Sequence, residues 1–207
     1  MQPAKTEVRI VAGSLRGRKV TCVVHEGLRP TPQMVREALF SILGNAIPDR
    51  PFFDVFAGTG VVGMEAVSRG AVSATFIERD ARLAAGIEEY LKKFDIVNRA
   101  GVLRIDVYRW AERWLPPNRP VNVFLSPPFA DLTERSADFM GLIQLLMDKA
   151  PSESVLAIQA EDGFDAEELP TADAWDFRKY GRNILLIWVK GEEGQEAAHA
   201  PEGGEGP

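Results

Sequence analysis

Apolar residues along this chain fall into two kinds of run, and the two kinds alternate. Short runs rich in Val, Ile, Phe and Leu have strand length and cover residues 52–56, 74–77, 102–105, 121–125 and 154–160. Between them lie stretches whose apolar positions recur every three or four residues, the helical spacing. One follows the turn at residues 57–60 and stops at Gly70; the others cover 81–94, 107–114 and 131–149. In 81–94 the inward stripe is Leu83, Ile87, Tyr90 or Leu91, and Phe94; in 131–149 it is Phe139, Leu142, Ile143, Leu146 and Met147. Asp80 and Asp106 precede two of these helices, where a carboxylate caps free N–H groups. An earlier helix, 32–43, carries Val35, Leu39, Ile42 and Leu43 on one face, with Thr31 as its cap, Pro32 at its first position and Gly44 at its end. Residues 8–20, with Gly13 and Gly17, read as a β-hairpin with a basic turn that 21–24 extend. Residues 175–179 and 183–189, joined at Tyr180-Gly181-Arg182, read as a closing hairpin. Strands alternating with helices predict an α/β fold: a mostly parallel sheet wound on both faces, with an antiparallel C-terminal hairpin at its edge.

Composition adds limits. At 207 residues and 45% apolar content, the chain can bury one substantial core. The expected division is a basic hairpin-and-helix extension over 1–45, the α/β domain over 46–190 and a disordered tail over 191–207, which is too polar and Gly/Pro-rich to pack. No apolar run approaches the ~20 residues of a membrane span, and the first residues lack the apolar core of a secretory signal. The lone Cys22 cannot form an intrachain disulfide, and no Cys/His spacing suggests a metal site. A cytoplasmic protein without metal, expected to be a monomer, is the reading. The net charge of −6 argues against a nucleic-acid partner until its distribution is considered. Residues 1–45 carry seven Lys/Arg against three acids, whereas 191–207 carry five Glu and no Lys or Arg. Local basic surface, not the overall sum, sets phosphate binding.

The candidate chemistry starts at FDVFAGTGVVGMEAVSR, residues 53–69. Strand, glycine turn, helix is the layout of a nucleotide-type site, because glycines admit a ligand close to the backbone and the helix start offers free N–H groups. The spacing Gly58-x-Gly60-x-x-Gly63 is shared with dinucleotide binders. Asp54 lies on the strand just before the turn, where a carboxylate can meet an ammonium. Glu78 ends the next apolar run, in position to accept from ribose hydroxyls. An ammonium and a ribose with no obligatory phosphate fit S-adenosylmethionine (SAM) better than NAD. A nicotinamide oxidoreductase is the weakest reading, since neither His25 nor His199 is placed to handle a hydride.

With RIVAGSLRGRKV, LRPTPQMVREALFSIL, DVFAGTGVVGMEAVSRGA, FIERD, SPPF and RKYGRNILL in this order, the chain resembles the RsmD family from about Arg9 to Val189. That family methylates the exocyclic N2 amine of a guanine in bacterial 16S ribosomal RNA. The resemblance implies a class I SAM-dependent methyltransferase fold. It implies cofactor contacts from Asp54, Phe56, Ala57, Gly58, Thr59, Gly60, Glu78, Arg79, Asp106 and Val107, and RNA contacts from Arg16, Arg18, Lys19, Arg29, Thr31 and Arg36. It places catalysis on Ser126, Pro127, Pro128 and Phe129, where family members carry Asp/Asn-Pro-Pro-Phe/Tyr. The chemistry accounts for that pattern. A nucleobase amine is a poor nucleophile, and a side-chain oxygen plus the Pro127 carbonyl can accept both its N–H bonds and aim it. The prolines stiffen the loop, and Phe129 offers a stacking face worth ~1–3 kcal/mol per base.

Ser126 departs from the family pattern. Its hydroxyl falls ~1–1.5 Å short of where a carboxylate oxygen sits, and displacement on that scale can cost ~10²-fold in rate. Three readings stay open: catalysis through the shorter acceptor or a bridging water, a non-catalytic relative that binds SAM and RNA, or another acceptor such as Asp131. Gln159, where the family often carries an acid, reads as structural. A nucleic-acid adenine-N6 methyltransferase is a further alternative, since the same acceptors suit that amine.

Overall fold

The computed structural model describes residues 4–24 and 30–191. Arg29 and the acidic tail beyond residue 191, both singled out by the sequence, lie outside the described residues. The chain opens with β1 (Ala4–Arg9) and β2 (Lys19–Val24), an antiparallel pair. Helix α1 (Gln33–Leu43) leads into the main sheet of β3 (Pro51–Val55), β4 (Ser73–Ile77), β5 (Ala100–Leu103), β6 (Asn122–Leu125), β7 (Val155–Glu161), β8 (Asp176–Tyr180) and β9 (Asn183–Val189). Its strand order is β5-β4-β3-β6-β7-β9-β8, parallel except where β9 runs against β7 and β8. The connecting helices are α2 (Val61–Ser68), α3 (Ala81–Lys93), α4 (Val107–Arg113), α5 (Phe129–Thr133) and α6 (Ser136–Lys149).

All five residues of β3 are buried, as a strand covered on both faces requires. Alternation assigns the faces. Phe53 and Val55 pack with Trp110 and Trp114 near α4 and with Phe139 and Ile143 of α6. Phe52, on the other face, packs with Leu39 and Phe40 of α1 and with Val62 of α2. β3 is thus an interior strand, paired with β4 on one side, to which the chain next runs, and with β6 on the other, which it reaches later. A ligand crevice forms beyond the carboxyl ends of the strands at such a reversal. Pairing of Val55 with both Ile77 and Leu125 brings the residues after β3, β4 and β6 out at one level.

The first segment docks on this body by a close backbone approach. Between β1 and β2, Ile10 and Leu15 are buried, and the N–H groups of Ser14 and Leu15 donate to the Ser68 carbonyl and hydroxyl at 2.8 Å each. Gly13, at φ +82°, lies where a Cβ would stand 1.8 Å from the Ser68 carbonyl oxygen, so a side chain there would break the seam.

Several boundaries differ from the sequence reading. Only the outer parts of residues 8–24 pair as strands; 10–18 form the docked loop. Thr31 does not cap α1: Pro32 holds the cap position with no side-chain hydrogen bond, and the Thr31 hydroxyl donates instead to Gln159 Oε1 at 2.8 Å. The third strand is Ala100–Leu103, two residues earlier than expected, because a half-exposed edge strand leaves a weak apolar pattern that Ile105 extended falsely. The expected helix 131–149 is two helices. Arg135 leaves helical geometry at φ −126°, ψ 29° while its guanidinium lies over the Tyr108 ring at 4.2 Å and pairs with Asp131 at 3.6 Å and Asp138 at 3.0 Å.

Among the described residues, no helix is long and apolar enough to cross a membrane.

Candidate active site

Most of the expected site residues line one cleft of about 740 Å³ at the carboxyl edge of the sheet. Asp54, Phe56, Ala57, Gly58 and Thr59 come from the end of β3, Glu78 and Arg79 from the end of β4, and Asp106 and Val107 from the start of α4. Ser126, Pro127, Pro128 and Phe129 follow β6, and Thr31 joins from the segment before α1. Gly60 is not a lining residue; at φ +71° its N–H donates to the Ala57 carbonyl at 2.8 Å and closes the turn from behind.

One carboxylate organises the turn. Glu78 is buried, accepting the Gly58 N–H on Oε2 and the Asp80 N–H on Oε1, both at 2.8 Å. It thus joins the glycine turn to the cap of α3, where Asp80 Oδ1 accepts from the Arg82 and Leu83 N–H groups at 2.7 and 3.0 Å. Two acceptors used of about four leave lone pairs for a ligand diol. Asp106 caps α4 in the same way, through the Tyr108 and Arg109 N–H groups, and its Oδ2 lies 3.9 Å from Arg79 Nη1.

Asp54 accepts the Gly63 N–H on Oδ2 at 2.8 Å. Gly63 cannot be larger, since a Cβ there would stand 2.4 Å from the buried Phe76 ring. Burial pushes the Asp54 carboxyl up to about 8, opposed by the Gly63 N–H and reinforced by the charge of Glu78. An acid whose folded-state value is raised contributes stability fully below its unfolded value, and that contribution is lost as pH climbs toward the folded value. Between roughly pH 4 and 8 the free protein should therefore lose stability from this group. Thermal melts across pH 5–9 should fall more steeply for the parent than for Asp54→Asn; parallel curves would place the raised carboxyl elsewhere.

In the same cleft, Phe129 is 66% exposed, which leaves its ring face open for a partner. The Tyr108 hydroxyl donates to Asp131 Oδ1 at 2.7 Å, and its ring meets Phe56 edge-on at 6.3 Å between centroids. Burial and the carboxylate it binds both push the Tyr108 phenol upward. Oδ1 of Asp131, a candidate surrogate acceptor, is thereby engaged by Tyr108 and Arg135. The Ser126 hydroxyl lies 3.5 Å from Gln159 Oε1, the oxygen that also takes the Thr31 hydroxyl. Gln159 is thus part of the cleft as well as of the strand.

The basic residues divide. Arg16 and Arg18 are exposed on the docked loop, away from the cleft, with Arg18 5.8 Å from the Phe94 ring centroid. Lys19 borders an adjoining groove of about 610 Å³ that shares Pro30, Thr31 and Pro32 with the cleft, and it is paired with Glu7 at 2.6 Å. Arg36 is a correction: expected to meet RNA, it is 1% exposed, and all three of its nitrogens are held inside. Nε bonds Glu65 at 3.2 Å, Nη1 the Thr31 carbonyl at 2.7 Å and Nη2 the Arg9 carbonyl at 2.8 Å. It fixes the loop beside the cleft and cannot reach a phosphate.

Leu83, Tyr108, Arg182 and Asn183 also line the cleft, though the sequence reading gave them no role there. Leu83 belonged to the expected core stripe, and Arg182 and Asn183 sit at a hairpin turn; only their place after strand ends could have signalled the site. Among the described residues, no group of three or more His, Cys, Asp or Glu could hold a metal ion.

The family model for conserved hypothetical protein 95 matches residues 8–189. The ribosomal RNA small subunit methyltransferase D of Haemophilus influenzae is 40% identical over 129 residues, covering 61% of this chain and 66% of that protein. The protein of the same name from Escherichia coli is 38% identical over 123 residues, covering 59% and 61%. The chain thus spans just under two thirds of the length of the curated relatives it matches. The solved structure of the putative methyltransferase yhhF of Escherichia coli superposes with a TM-score of 0.70 at 30% identity, covering 90% of this chain and 99% of that one. The fold is that of the class I methyltransferases.

Proposed function

Since the chain belongs to the RsmD family, the one described as conserved hypothetical protein 95, we propose that it is a SAM-dependent methyltransferase of small-subunit ribosomal RNA, acting on a guanine N2 amine. The observation that carries this reading is a single cleft lined both by Asp54 and Glu78 and by Ser126 to Phe129.

The residues fit the cofactor. A buried carboxyl with one N–H partner ionises when a cation comes alongside, so Asp54 suits the ammonium of SAM. Glu78 retains acceptor capacity for the ribose hydroxyls, and Asp106 can accept from the adenine amine. When bound, SAM supplies a methyl group on a sulfonium, which leaves as a neutral thioether and needs no metal. The chain then has to present the amine. The Ser126 hydroxyl and the Pro127 carbonyl accept its two N–H bonds, so that the nitrogen lone pair is directed away from them; as the C–N bond forms and the C–S bond breaks, the cationic nitrogen releases one of these N–H protons to solvent. Pro127 and Pro128 hold the acceptors still, and Phe129 stacks the extruded base. Arg16, Arg18 and Arg29 draw in the RNA, with Lys19 at the adjoining groove. The protein works as a cytoplasmic monomer.

The test is transfer of labelled methyl from SAM to small-subunit rRNA, followed by nuclease digestion. Label in N2-methylguanosine is expected. No transfer by either the parent or Ser126→Asp would remove catalysis from the account, and SAM binding without transfer would favour a non-catalytic SAM- and RNA-binding relative.

A further inference from the structure

We propose that Gln159 is a positioning residue for methyl transfer, locking the Ser126 hydroxyl as a pure acceptor for the substrate amine. The proposal rests on the methyltransferase reading and says how a neutral side chain can serve where a carboxylate would be expected.

A serine hydroxyl carries one proton and two lone pairs, so left alone it can offer an incoming amine either a donor or an acceptor. Only the acceptor is useful, because the amine must give up hydrogen bonds while its own lone pair stays free. Gln159 Oε1 stands 3.5 Å from Ser126 Oγ, at the outer limit of a hydrogen bond, and both residues line the cleft. Once the serine proton is directed at that oxygen, only lone pairs remain for the substrate. Bonds of this kind are commonly long before substrate arrives and tighten in the complex.

The amide is itself held. Its Nε2 donates to Asn183 Oδ1 at 3.1 Å, which turns its carbonyl end toward Ser126. The same Oε1 takes the Thr31 hydroxyl at 2.8 Å, and the Thr31 carbonyl is bound by the buried Arg36. Gln159 lies near the end of β7 and Ser126 just beyond β6, neighbouring parallel strands, so sheet pairing sets their separation. Amide, serine and threonine form one neutral network anchored by β9 on one side and by the segment before α1 on the other.

The experiment measures kcat and KM for Gln159→Met and Gln159→Glu, each in the parent and in a Ser126→Ala background. Gln159→Met, which keeps the shape of the side chain but has no acceptor, should lower kcat about tenfold or more while KM for SAM stays within about twofold. In the Ser126→Ala background the same change should cost less than about twofold, because nothing is left to position. Gln159→Glu keeps an oxygen facing both hydroxyls and should retain most of kcat. Its pH–rate profile at saturating SAM should gain an acid limb absent from the parent, since the introduced carboxyl, once protonated, no longer guarantees an acceptor. Equal losses for Gln159→Met in both backgrounds, or an unchanged kcat, would overturn the assignment of Gln159 while leaving the methyltransferase reading intact. A parent protein that transfers no methyl to rRNA would overturn both.

Discussion

Replacing Arg36 with methionine is expected to destabilise the protein by about 3–5 kcal/mol, the range seen when one partner of a buried ion pair is removed. Glu65 has no exposure, and Arg36 has 1%. Without the guanidinium, Glu65 keeps only Arg69, which holds Oε1 through Nη2 at 2.8 Å and Nε at 3.1 Å, and Oε2 loses its bond. The carbonyls of Thr31 and Arg9 lose their donors as well. For a chain of this size the melting temperature should fall by roughly 6–20 °C. Denaturant unfolding of Arg36→Met, Glu65→Leu and the double variant gives the check. The double variant should recover part of the loss, because most of the damage comes from the unpaired carboxylate. A loss below about 1 kcal/mol in the single variant would mean that Glu65 finds water or protonates at little cost. The position matters beyond stability, since Arg36 ties the first segment, α1 and Thr31 together beside the cleft.

Arg36 also marks where the sequence stopped being informative. The apolar face of its helix, Val35, Leu39, Ile42 and Leu43, leaves Arg36 out, yet Arg36 is buried beside a partner 29 residues away on another helix. Features with local causes were legible. Asp80 and Asp106 cap their helices because an aspartate before a helix meets N–H groups two and three residues on. The strand–glycine–helix unit could be read because β3 is apolar throughout but for Asp54 and the turn needs positive φ at Gly58 and Gly60. Gly63, by contrast, is explained only by the Phe76 ring across the layer. The break before α6 has no glycine or proline to announce it and follows from what Arg135 finds in space. Spacing along the chain leaves Gln159 a structural strand residue; its contact with Ser126 depends on the pairing of β7 with β6, and its contact with Thr31 on a segment 128 residues away. Pairwise contacts across the sheet are what one-dimensional spacing leaves out.

Truncating Glu78 to alanine should weaken SAM binding by about 10²-fold or more while the fold survives. Two ribose hydroxyls donating to this carboxylate would each contribute about 1.5–3 kcal/mol, the range for hydrogen bonds to charged groups, and the variant loses both. It also frees the Gly58 and Asp80 N–H groups, so the glycine turn is no longer joined to the start of α3. Loss of contact and loss of preorganisation act in the same direction. Glu78→Gln should fall between the two: it keeps one carbonyl oxygen but turns an NH₂ toward one of the two N–H groups it formerly accepted. Arg79→Ala is the contrast, because that side chain is 65% exposed and meets Asp106 only at 3.9 Å; it should shift affinity by less than about fivefold, within about 1 kcal/mol. Calorimetry measures this directly, and thermal shift reports it through linkage. At a SAM concentration about 100 times the parent Kd the parent gains about 2.7 kcal/mol, and a variant about 10²-fold weaker gains only about 0.4 kcal/mol. A Glu78→Ala protein that bound SAM as tightly as the parent would detach the cofactor from this carboxylate, and with it the placement of the methyl donor at the end of β4.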